Sequence, residues 1–207
     1  AVTLDGRTAF PDGRSQWITG EAARADVQFW RGRAGAVLTG IGTVLADDPQ
    51  MNVRLPDQER QPLRFVIDPR METPPAGKLL TSKGGKVFIA AAAEYPTRRA
   101  ALEAAGAEVW VLPDAAVPGR VDLRELMREL AKREVNEVHV EAGPRLSGAL
   151  FAAGLIDEML FYYAPCLFGA GMGPAAVPLP AEPGAAYRWR LQSLDQIGGD
   201  FRVLLRR

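Results

Sequence analysis

The chain has 207 residues, 47% of them hydrophobic and 8% aromatic, so it can bury a sizeable core and is not a disordered protein. Lys and Arg together number 25, and so do Asp and Glu, so the formal net charge is zero. A chain without net positive charge is not expected to bind nucleic acid or an anionic membrane as its main partner, but a local basic patch can still bind a small anionic ligand. The single cysteine excludes an intramolecular disulfide and suits the cytoplasm, and no apolar stretch reaches the roughly 20 residues of a membrane helix.

The first predicted elements are a strand end and a helix. The chain opens on AVTLDG within the predicted strand, so we expect that residues upstream have been removed. Thr19 is the predicted N-cap of a helix that ends near Ala34, and Arg31 is placed on the exposed side of that helix. The apolar positions at helical spacing, expected to face the core, are Ala23, Val27, Trp30 and Ala34.

The stretch from Gly35 to Arg54 concentrates residues suited to a polar ligand. Residues 36–39 are predicted to form a buried strand, after which Gly40 and Gly42 allow a tight turn or a close backbone approach. A hydroxyl, two adjacent carboxylates and a guanidinium follow within the next residues. Open α/β sheets bind ligands at such strand ends, although a plain strand, turn and Asp-Pro helix stop explains the same pattern.

Strands and helices then alternate at short spacing. Strands are predicted at residues 63–67, 86–90, 108–112, 137–141 and 158–164, and helices at 97–105, 122–133 and 144–154, while 71–85 is predicted to be surface loop. This alternation predicts a parallel sheet with crossover helices. The runs at 187–194 and 201–205 predict an antiparallel hairpin at one edge of the sheet. We place no domain boundary and expect a single domain over residues 1–207.

Several catalytic classes are excluded by residue types. A zinc deaminase needs three imidazole or thiolate ligands, and His139 and Cys166 are the only histidine and cysteine. We therefore expect neither deaminase activity nor a structural zinc. The P-loop is absent, and Leu45 stands where the third glycine of a dinucleotide fingerprint should be.

Two further loops could carry chemistry. Glu141 ends a predicted strand, and the unpaired N–H groups of the helix turn that follows would suit a phosphate, unless this is an ordinary strand-to-helix turn. Trp17, just before a helix, could stack on a flat ring or could anchor the helix in the core.

Six segments identify a family resemblance. TLDGRTA, SQWITG, VLTGIGTVLADDP, NVR, VIDP and VEAGPRLSGAL, in this order and spacing, together resemble the reductase domain of the bacterial bifunctional riboflavin-biosynthesis deaminase/reductase over nearly the whole chain. The resemblance implies a dihydrofolate-reductase-like α/β fold, with a mostly parallel mixed sheet, an antiparallel C-terminal hairpin and helices on both faces. It implies NADPH-dependent reduction of 5-amino-6-(5-phosphoribosylamino)uracil, a small phosphorylated pyrimidine, by a homodimer.

The resemblance also implies site residues. Glu141 is assigned as catalytic and as a substrate-binding acceptor for pyrimidine N–H groups. The other substrate-binding residues are Ser15, Arg31, Met51 (through its backbone) and Arg54. The cofactor-binding residues are Ala1, Trp17, Thr43, Asp47, Gly143, Pro144, Arg145, Leu146, Ser147, Gly148 and Ala149. Relatives carry a lysine shortly before the TLDGR-type motif, upstream of the first residue here, and some have a serine at the position of Pro69.

Two other functions stay open at this point. One is reduction of the related 2,5-diamino pyrimidinone before deamination, which turnover of each purified pyrimidine would distinguish. The other is a non-catalytic dinucleotide-binding domain, which would bind NADPH without oxidising it. We expect NADPH in preference to NADH, because basic residues such as Arg70 and Lys83 lie near the expected cofactor end.

Overall fold

The computed structural model describes residues 1–56 and 58–207. These fall into two compact units. The central unit is Gln28–Gly143, and the terminal unit combines Ala1–Val27 with Pro144–Arg207. The single domain expected from the sequence stays a prediction, and each unit is described separately below.

The elements follow the predicted alternation closely. Among the described residues the strands are β1 (Val2–Thr3), β2 (Ala36–Gly40), β3 (Leu63–Ile67), β4 (Val87–Ala91), β5 (Glu108–Val111), β6 (Val138–Val140), β7 (Glu158–Ala164), β8 (Arg190–Ile197) and β9 (Asp200–Arg206). The helices are α1 (Glu21–Arg33), α2 (Ile41–Asp47), α3 (Lys78–Thr81), α4 (Pro96–Ala104), α5 (Leu123–Lys132) and α6 (Pro144–Ala152), with a 3₁₀ turn at Pro183–Ala185.

The central unit is built on a parallel sheet in the order β5-β4-β3-β2-β6. Ala36 of β2 pairs with Leu63 on one side and with Val138 on the other. Ala36, Val37 and Leu38 are fully buried, as expected for a central strand that is covered on both faces. This burial explains why the strand is a continuous apolar run with no polar alternation.

Two helices of the central unit depend on carboxylate caps. Asp122 caps α5 as predicted, since its Oδ1 accepts hydrogen bonds from the N–H groups of Arg124 and Glu125, both at 2.9 Å. The short helix α3 lies in the stretch predicted to be loop, so that prediction was wrong there. Asp48 accepts a 2.7 Å hydrogen bond from the Lys78 N–H at the start of α3, and Leu79 is buried. The cap lies 30 residues away in sequence, so local composition did not indicate it.

The terminal unit holds a second sheet in the order β1-β7-β9-β8. β1 runs parallel to β7, whereas β9 runs antiparallel to both β7 and β8. The predicted C-terminal hairpin is therefore confirmed, but it extends this separate sheet and does not lie at an edge of the parallel one. The reason is that β9 pairs with β7 from Glu158 to Tyr163.

Helix α1 begins later than predicted. Its first residue is Glu21, preceded by Gly20, whose N–H donates a 2.7 Å hydrogen bond to the buried carboxylate of Asp200. Thr19 is therefore not the residue next to the helix, and the group that satisfies this N–H comes from the other end of the chain.

None of the helices formed by the described residues is both long and apolar enough for a bilayer crossing.

Candidate functional site

A bidentate ion pair in the central unit joins two residues predicted to bind the substrate. Glu141 directly follows β6, and its main chain is fixed by a hydrogen bond from its N–H to Leu38 O at 2.9 Å. The Arg31 guanidinium donates from Nε to Glu141 Oε1 at 2.5 Å and from Nη2 to Oε2 at 2.6 Å. Parallel paired bonds of this kind fix both orientation and distance.

The carboxylate of Glu141 stays ionised. Burial alone raises the pKa of this carboxyl, but hydrogen bonds and charge from Arg31 and His139 outweigh burial and hold the pKa well below its usual range. His139 Nε2 lies 3.2 Å from Glu141 Oε1. The Glu141 side chain is 30% exposed, so an anionic acceptor is accessible from solvent. Oε2 keeps acceptor capacity for a ligand donor.

Arg31 is mostly buried, and its predicted placement on the exposed side of α1 was wrong. Its side chain is only 12% exposed. The reason lies in the helical period, because Arg31 is four residues after Val27 and eight after Ala23, on the same stripe. The pKa of Arg31 is raised, since the Glu141 carboxylate more than compensates for burial. Its Nη1 donates to Asn52 O at 3.0 Å.

The segment 50–54 supplies the other two predicted substrate residues of this unit. Met51 is buried, 2% exposed, with a left-handed φ of 53°, an unusual conformation for a non-glycine residue. Because its side chain belongs to the core, any contact of Met51 with a ligand must come from its backbone. This agrees with the predicted backbone role and does not test it.

Arg54 is the exposed cation of the cluster. Its Nη1 lies 3.3 Å from Asn52 Oδ1. Partial burial and the positive charge of Arg31 lower its pKa, and the charge of Glu141 opposes that shift. A bound anion would relieve the repulsion between the two guanidiniums. Arg31 is already bonded to Glu141 and Asn52, so Arg54 is the better placed of the two to hold a phosphate.

Two glycines near predicted cofactor positions have no structural explanation within the protein. Neither Gly42 in α2 nor Gly143 adopts a positive φ, and a Cβ at either would meet no described atom within 4 Å. Neither backbone conformation nor packing requires glycine at these positions, and each leaves open space at the surface of the unit. Thr43, next to Gly42 in α2, is half-buried, and Asp47, the last residue of α2, is exposed.

The predicted phosphate-binding turn at 143–149 begins α6. Pro144 is the first helical residue, where its missing N–H costs nothing. Gly148 has a packing role, since a Cβ there would lie 2.3 Å from Ala176 O. Arg145 is exposed, and Leu146, Ser147 and Ala149 are half-buried.

The remaining predicted residues lie in the terminal unit. Trp17 is 70% exposed, so it does not anchor the helix in the core, and the Arg24 guanidinium lies 4.7 Å from its ring centroid. Ser15 lines a cavity of about 260 Å³ together with Trp17, Phe10 and Phe168. Ala1 is exposed.

Two members of the cluster were missed from the sequence. Asn52 connects Arg31 and Arg54, and His139 contacts Glu141. The alternation of a strand offered a signal for His139, because residues two apart share a face. Asn52 belongs to the NVR motif, which was the available signal for it. The described residues contain no group of three or more His, Cys, Asp or Glu side chains able to hold a metal ion.

The comparisons with known proteins assign the family. The family described as the RibD C-terminal domain matches residues 1–203. The chain belongs to this family. The resemblance inferred from the sequence motifs is therefore confirmed, as is the α/β fold with parallel strands and an antiparallel C-terminal hairpin.

The individual relatives agree with this assignment. Riboflavin biosynthesis protein RibD of Haemophilus influenzae is 37% identical over 220 aligned residues, covering 98% of this chain and 56% of that protein. A structure of Acinetobacter baumannii RibD matches with a TM-score of 0.85 and 35% identity, covering 99% of this chain and 55% of the other. A structure from Thermotoga maritima matches with a TM-score of 0.79 and 25% identity, covering 99% of this chain and 54% of the other. It is described as a diaminohydroxyphosphoribosylaminopyrimidine deaminase/5-amino-6-(5-phosphoribosylamino)uracil reductase. The chain thus spans about half the length of these family members.

The Arg31–Glu141 pair should make stability depend on pH. Because the native pKa of Glu141 is lowered, its contribution is complete above the unfolded value of about 4.5 and is lost as pH falls towards the native pKa. We expect Glu141→Gln to lower the free energy of unfolding by about 2 kcal/mol at pH 7, because Arg31 loses its charged partner. Urea unfolding from pH 7 to pH 3 should show this difference shrinking below about pH 4.5.

Glu137→Gln is the matched control. Its pair with Arg33 is more exposed, at 38% and 41%, and should contribute about 0–1 kcal/mol. A Glu141 variant as stable as the unaltered chain at every pH would contradict the assigned pairing.

Gly42→Ala should separate ligand binding from folding. Alanine in α2 meets no neighbour and has the higher helix propensity, so stability should stay equal or rise by up to about 1 kcal/mol. The affinity for NADPH, the cofactor implied by the resemblance, should fall at least about tenfold in a calorimetric titration, because the added methyl group fills ligand space. Gly199→Ala, also without close neighbours, is the control. Unchanged NADPH affinity in Gly42→Ala would remove this position from the site.

Proposed function

We propose that this chain catalyses the NADPH-dependent reduction of 5-amino-6-(5-phosphoribosylamino)uracil to 5-amino-6-(5-phosphoribitylamino)uracil in riboflavin biosynthesis. The observation that carries the proposal is the family match over residues 1–203. It is supported by the cluster of Arg31, Arg54 and Glu141, three residues that the family resemblance assigns to the substrate and that occur together in the central unit. The Thermotoga maritima relative bears the name of this reductase.

The geometry suits a phosphorylated pyrimidine. Arg54 presents an exposed guanidinium beside the charge of Arg31, which favours a phosphate. Glu141 presents an ionised carboxylate that can accept hydrogen bonds from the N–H and NH₂ groups of the pyrimidine. Arg31 holds that carboxylate in one orientation, so the acceptor is already in position before substrate binds.

The residues assigned to NADPH fit a large polar ligand. Within the central unit, the open space at Gly42 and Gly143 supports a close approach of the cofactor. Within the terminal unit, Trp17 presents an exposed ring. When bound, NADPH would supply the hydride, while the protein binds, orients and polarises the substrate. The preference for NADPH over NADH rests on the family resemblance, because the Arg70 guanidinium is already paired with the Glu72 carboxylate.

Steady-state oxidation of NADPH tests the proposal. The purified chain should oxidise NADPH only when the phosphoribosylaminouracil is present, and more efficiently than it oxidises NADH. Faster turnover of the 2,5-diamino pyrimidinone would assign the reaction to the step before deamination. Tight NADPH binding without oxidation by either pyrimidine would indicate a non-catalytic dinucleotide-binding domain.

Arg54→Ala should affect substrate affinity more than cofactor affinity. Loss of the exposed guanidinium should raise KM for the phosphorylated pyrimidine at least about tenfold, equivalent to about 1.4 kcal/mol, with NADPH affinity nearly unchanged. Arg54→Lys keeps the charge without the planar fork and should be intermediate. Arg60→Ala, a nearby exposed arginine, is the control. A KM for Arg54→Ala equal to that of the control would exclude Arg54 from the site.

We further infer a homodimer formed through the sheet of the terminal unit. β8 is an edge strand of that sheet, and a register shift between Leu191 and Ser193 places Leu191 and Leu194 opposite Leu205 and Val203. Residues 201, 203 and 205 share one face of β9, so both leucines lie on the same face as Phe201. Leu191, Leu194 and Phe201 are 56%, 60% and 42% exposed. An apolar face on an edge strand favours a second copy as partner.

Leu194→Glu should therefore weaken the dimer. A charge on this face would have to be buried in the interface, so the molar mass in solution at a fixed micromolar concentration should shift from dimer towards monomer. Light scattering measures this directly. Leu179→Glu, at a leucine that is 94% exposed, should leave the mass unchanged. An unaltered chain that is monomeric, or a Leu194→Glu variant that stays dimeric, would exclude this interface.

A further inference from the structure

Arg64 places a positive charge inside the parallel sheet of the central unit. It lies on β3 between Leu63 and Phe65 and is only 4% exposed. Burial lowers the pKa of its guanidinium, which shows that the site disfavours the charge. None of the described carboxylates forms an ion pair with it, so its burial must be compensated by other acceptors.

Those acceptors are main-chain carbonyl groups from three separate parts of the chain. Nε donates to Gly85 O at 2.8 Å, and Nη1 donates to Leu79 O at 2.7 Å and to Gln50 O at 3.0 Å. Gly84 makes room for the guanidinium, because a Cβ at that position would lie 2.9 Å from Arg64 Cζ. The side chain is therefore built into a fitted polar cavity and does not simply fill core volume.

The contact with Gln50 lies next to the unusual backbone of Met51. The bond to Gln50 O fixes the plane of the peptide that joins Gln50 to Met51. Met51 φ is the rotation that immediately follows this peptide, and it is held at 53°. A left-handed conformation costs a non-glycine residue roughly 1–2 kcal/mol, so it persists only where neighbouring contacts impose it.

The rest of the segment 50–54 is also held by side chains. Among the described residues its main-chain groups make no hydrogen bond to another main-chain group. The side-chain contacts are Arg31 to Asn52 O, Gln61 to both Val53 N and Val53 O, and Gln28 to Arg54 N. Arg64 holds the first residue of the segment, and Arg54, the exposed cation, is the last. The position of Arg54 therefore depends on buried polar side chains.

We propose that Arg64 is a positioning residue for the phosphate side of the substrate site. By fixing the Gln50–Met51 peptide, it sets where the Met51 backbone and the Arg54 guanidinium stand, without touching the ligand itself. The identity of the ligand rests on the proposed function. The positional role rests only on the contacts of Arg64 within the central unit.

The test compares three changes that release the Gln50 carbonyl to different degrees. Arg64→Met removes all three side-chain hydrogen bonds to main-chain carbonyl groups. Arg64→Lys keeps a positive charge that can reach some of these carbonyl groups. Gly84→Ala displaces the guanidinium without removing it. Arg99→Met is the matched control, since Arg99 also donates to a main-chain carbonyl, Val109 O at 3.0 Å, away from the segment. The readouts are KM, kcat, melting temperature and calorimetric affinity for ribose 5-phosphate.

The expected pattern is a split between the kinetic constants. Arg64→Met and Gly84→Ala should raise KM for the phosphorylated pyrimidine and weaken ribose 5-phosphate binding at least about fivefold, with kcat changed less than about twofold and Arg64→Lys intermediate. In an Arg54→Ala background, Arg64→Met should add little further loss, because both act through the same group. Arg99→Met should lower the melting temperature without changing KM.

The outcomes separate this inference from the proposed function. Absence of turnover in the unaltered chain would defeat the proposed function alone, provided that ribose 5-phosphate binding still responds to the Arg64 variants. Folded Arg64→Met and Gly84→Ala variants with unchanged KM and unchanged ribose 5-phosphate affinity would overturn the inference. So would a double variant, Arg54→Ala with Arg64→Met, in which the two losses of affinity add. If Arg64→Met does not fold, Gly84→Ala decides by the same criteria. An unaltered chain that neither turns over substrate nor binds ribose 5-phosphate would overturn both.

Discussion

The ion pair between Arg31 and Glu141 is the interaction on which the candidate site depends. It connects helix α1 to the end of strand β6, and its paired bonds at 2.5 and 2.6 Å fix both side chains. The hydrogen bonds and charge of Arg31, together with His139, keep Glu141 ionised despite burial. Partial burial and the charge of Arg31 lower the pKa of Arg54, and the charge of Glu141 opposes that shift. The same Arg31 guanidinium reaches Asn52 O, so one residue orders both the acceptor and the segment that carries the exposed cation. The charged groups of the cluster are therefore held in position before a ligand binds. Enzymes that act by binding and orienting their substrates usually need such preorganised charges.

In the central unit, buried and half-buried polar side chains satisfy the main chain where regular structure is missing. Segment 50–54 belongs to no helix or strand, and Gln28, Arg31, Gln61 and Arg64 satisfy its main-chain groups. Buried polar groups need such partners, because an unpaired one costs about 1–3 kcal/mol. Asp68 shows the limit of this arrangement, since its Oδ2 accepts hydrogen bonds from the Thr73 N–H and hydroxyl, while its Oδ1 has no partner among the described residues. The side chains that hold segment 50–54 therefore come from helix α1, strand β3 and the loop before β3, whereas the predicted contact Glu141 directly follows β6, at a strand end where open α/β sheets bind ligands.

Sequence periodicity predicted most of the elements but few of their tertiary partners. The mostly apolar run of β3, interrupted by Arg64, and the Asp122 cap of α5 are local signals, and the structure confirms both. Helix α3 was not predicted and the start of α1 was misplaced, because each is held by a carboxylate far away in sequence, Asp48 or Asp200. The error over Arg31 was different in kind. Its spacing places it on the apolar stripe of α1, and a charged side chain is mostly buried there because Glu141 pairs with it.

The sequence by itself determined the family, the alternating α/β pattern and the set of candidate ligand residues, because motif order and hydrophobic periodicity are local properties of a chain. Only the tertiary structure decided which candidates meet. It paired Arg31 with Glu141, left Arg54 exposed beside them, and gave Gly148 a packing role against Ala176. It also assigned the C-terminal hairpin to its own sheet and gave the buried Arg64 its carbonyl partners. These outcomes depend on contacts between residues distant in sequence, whose distances and burial no local pattern encodes.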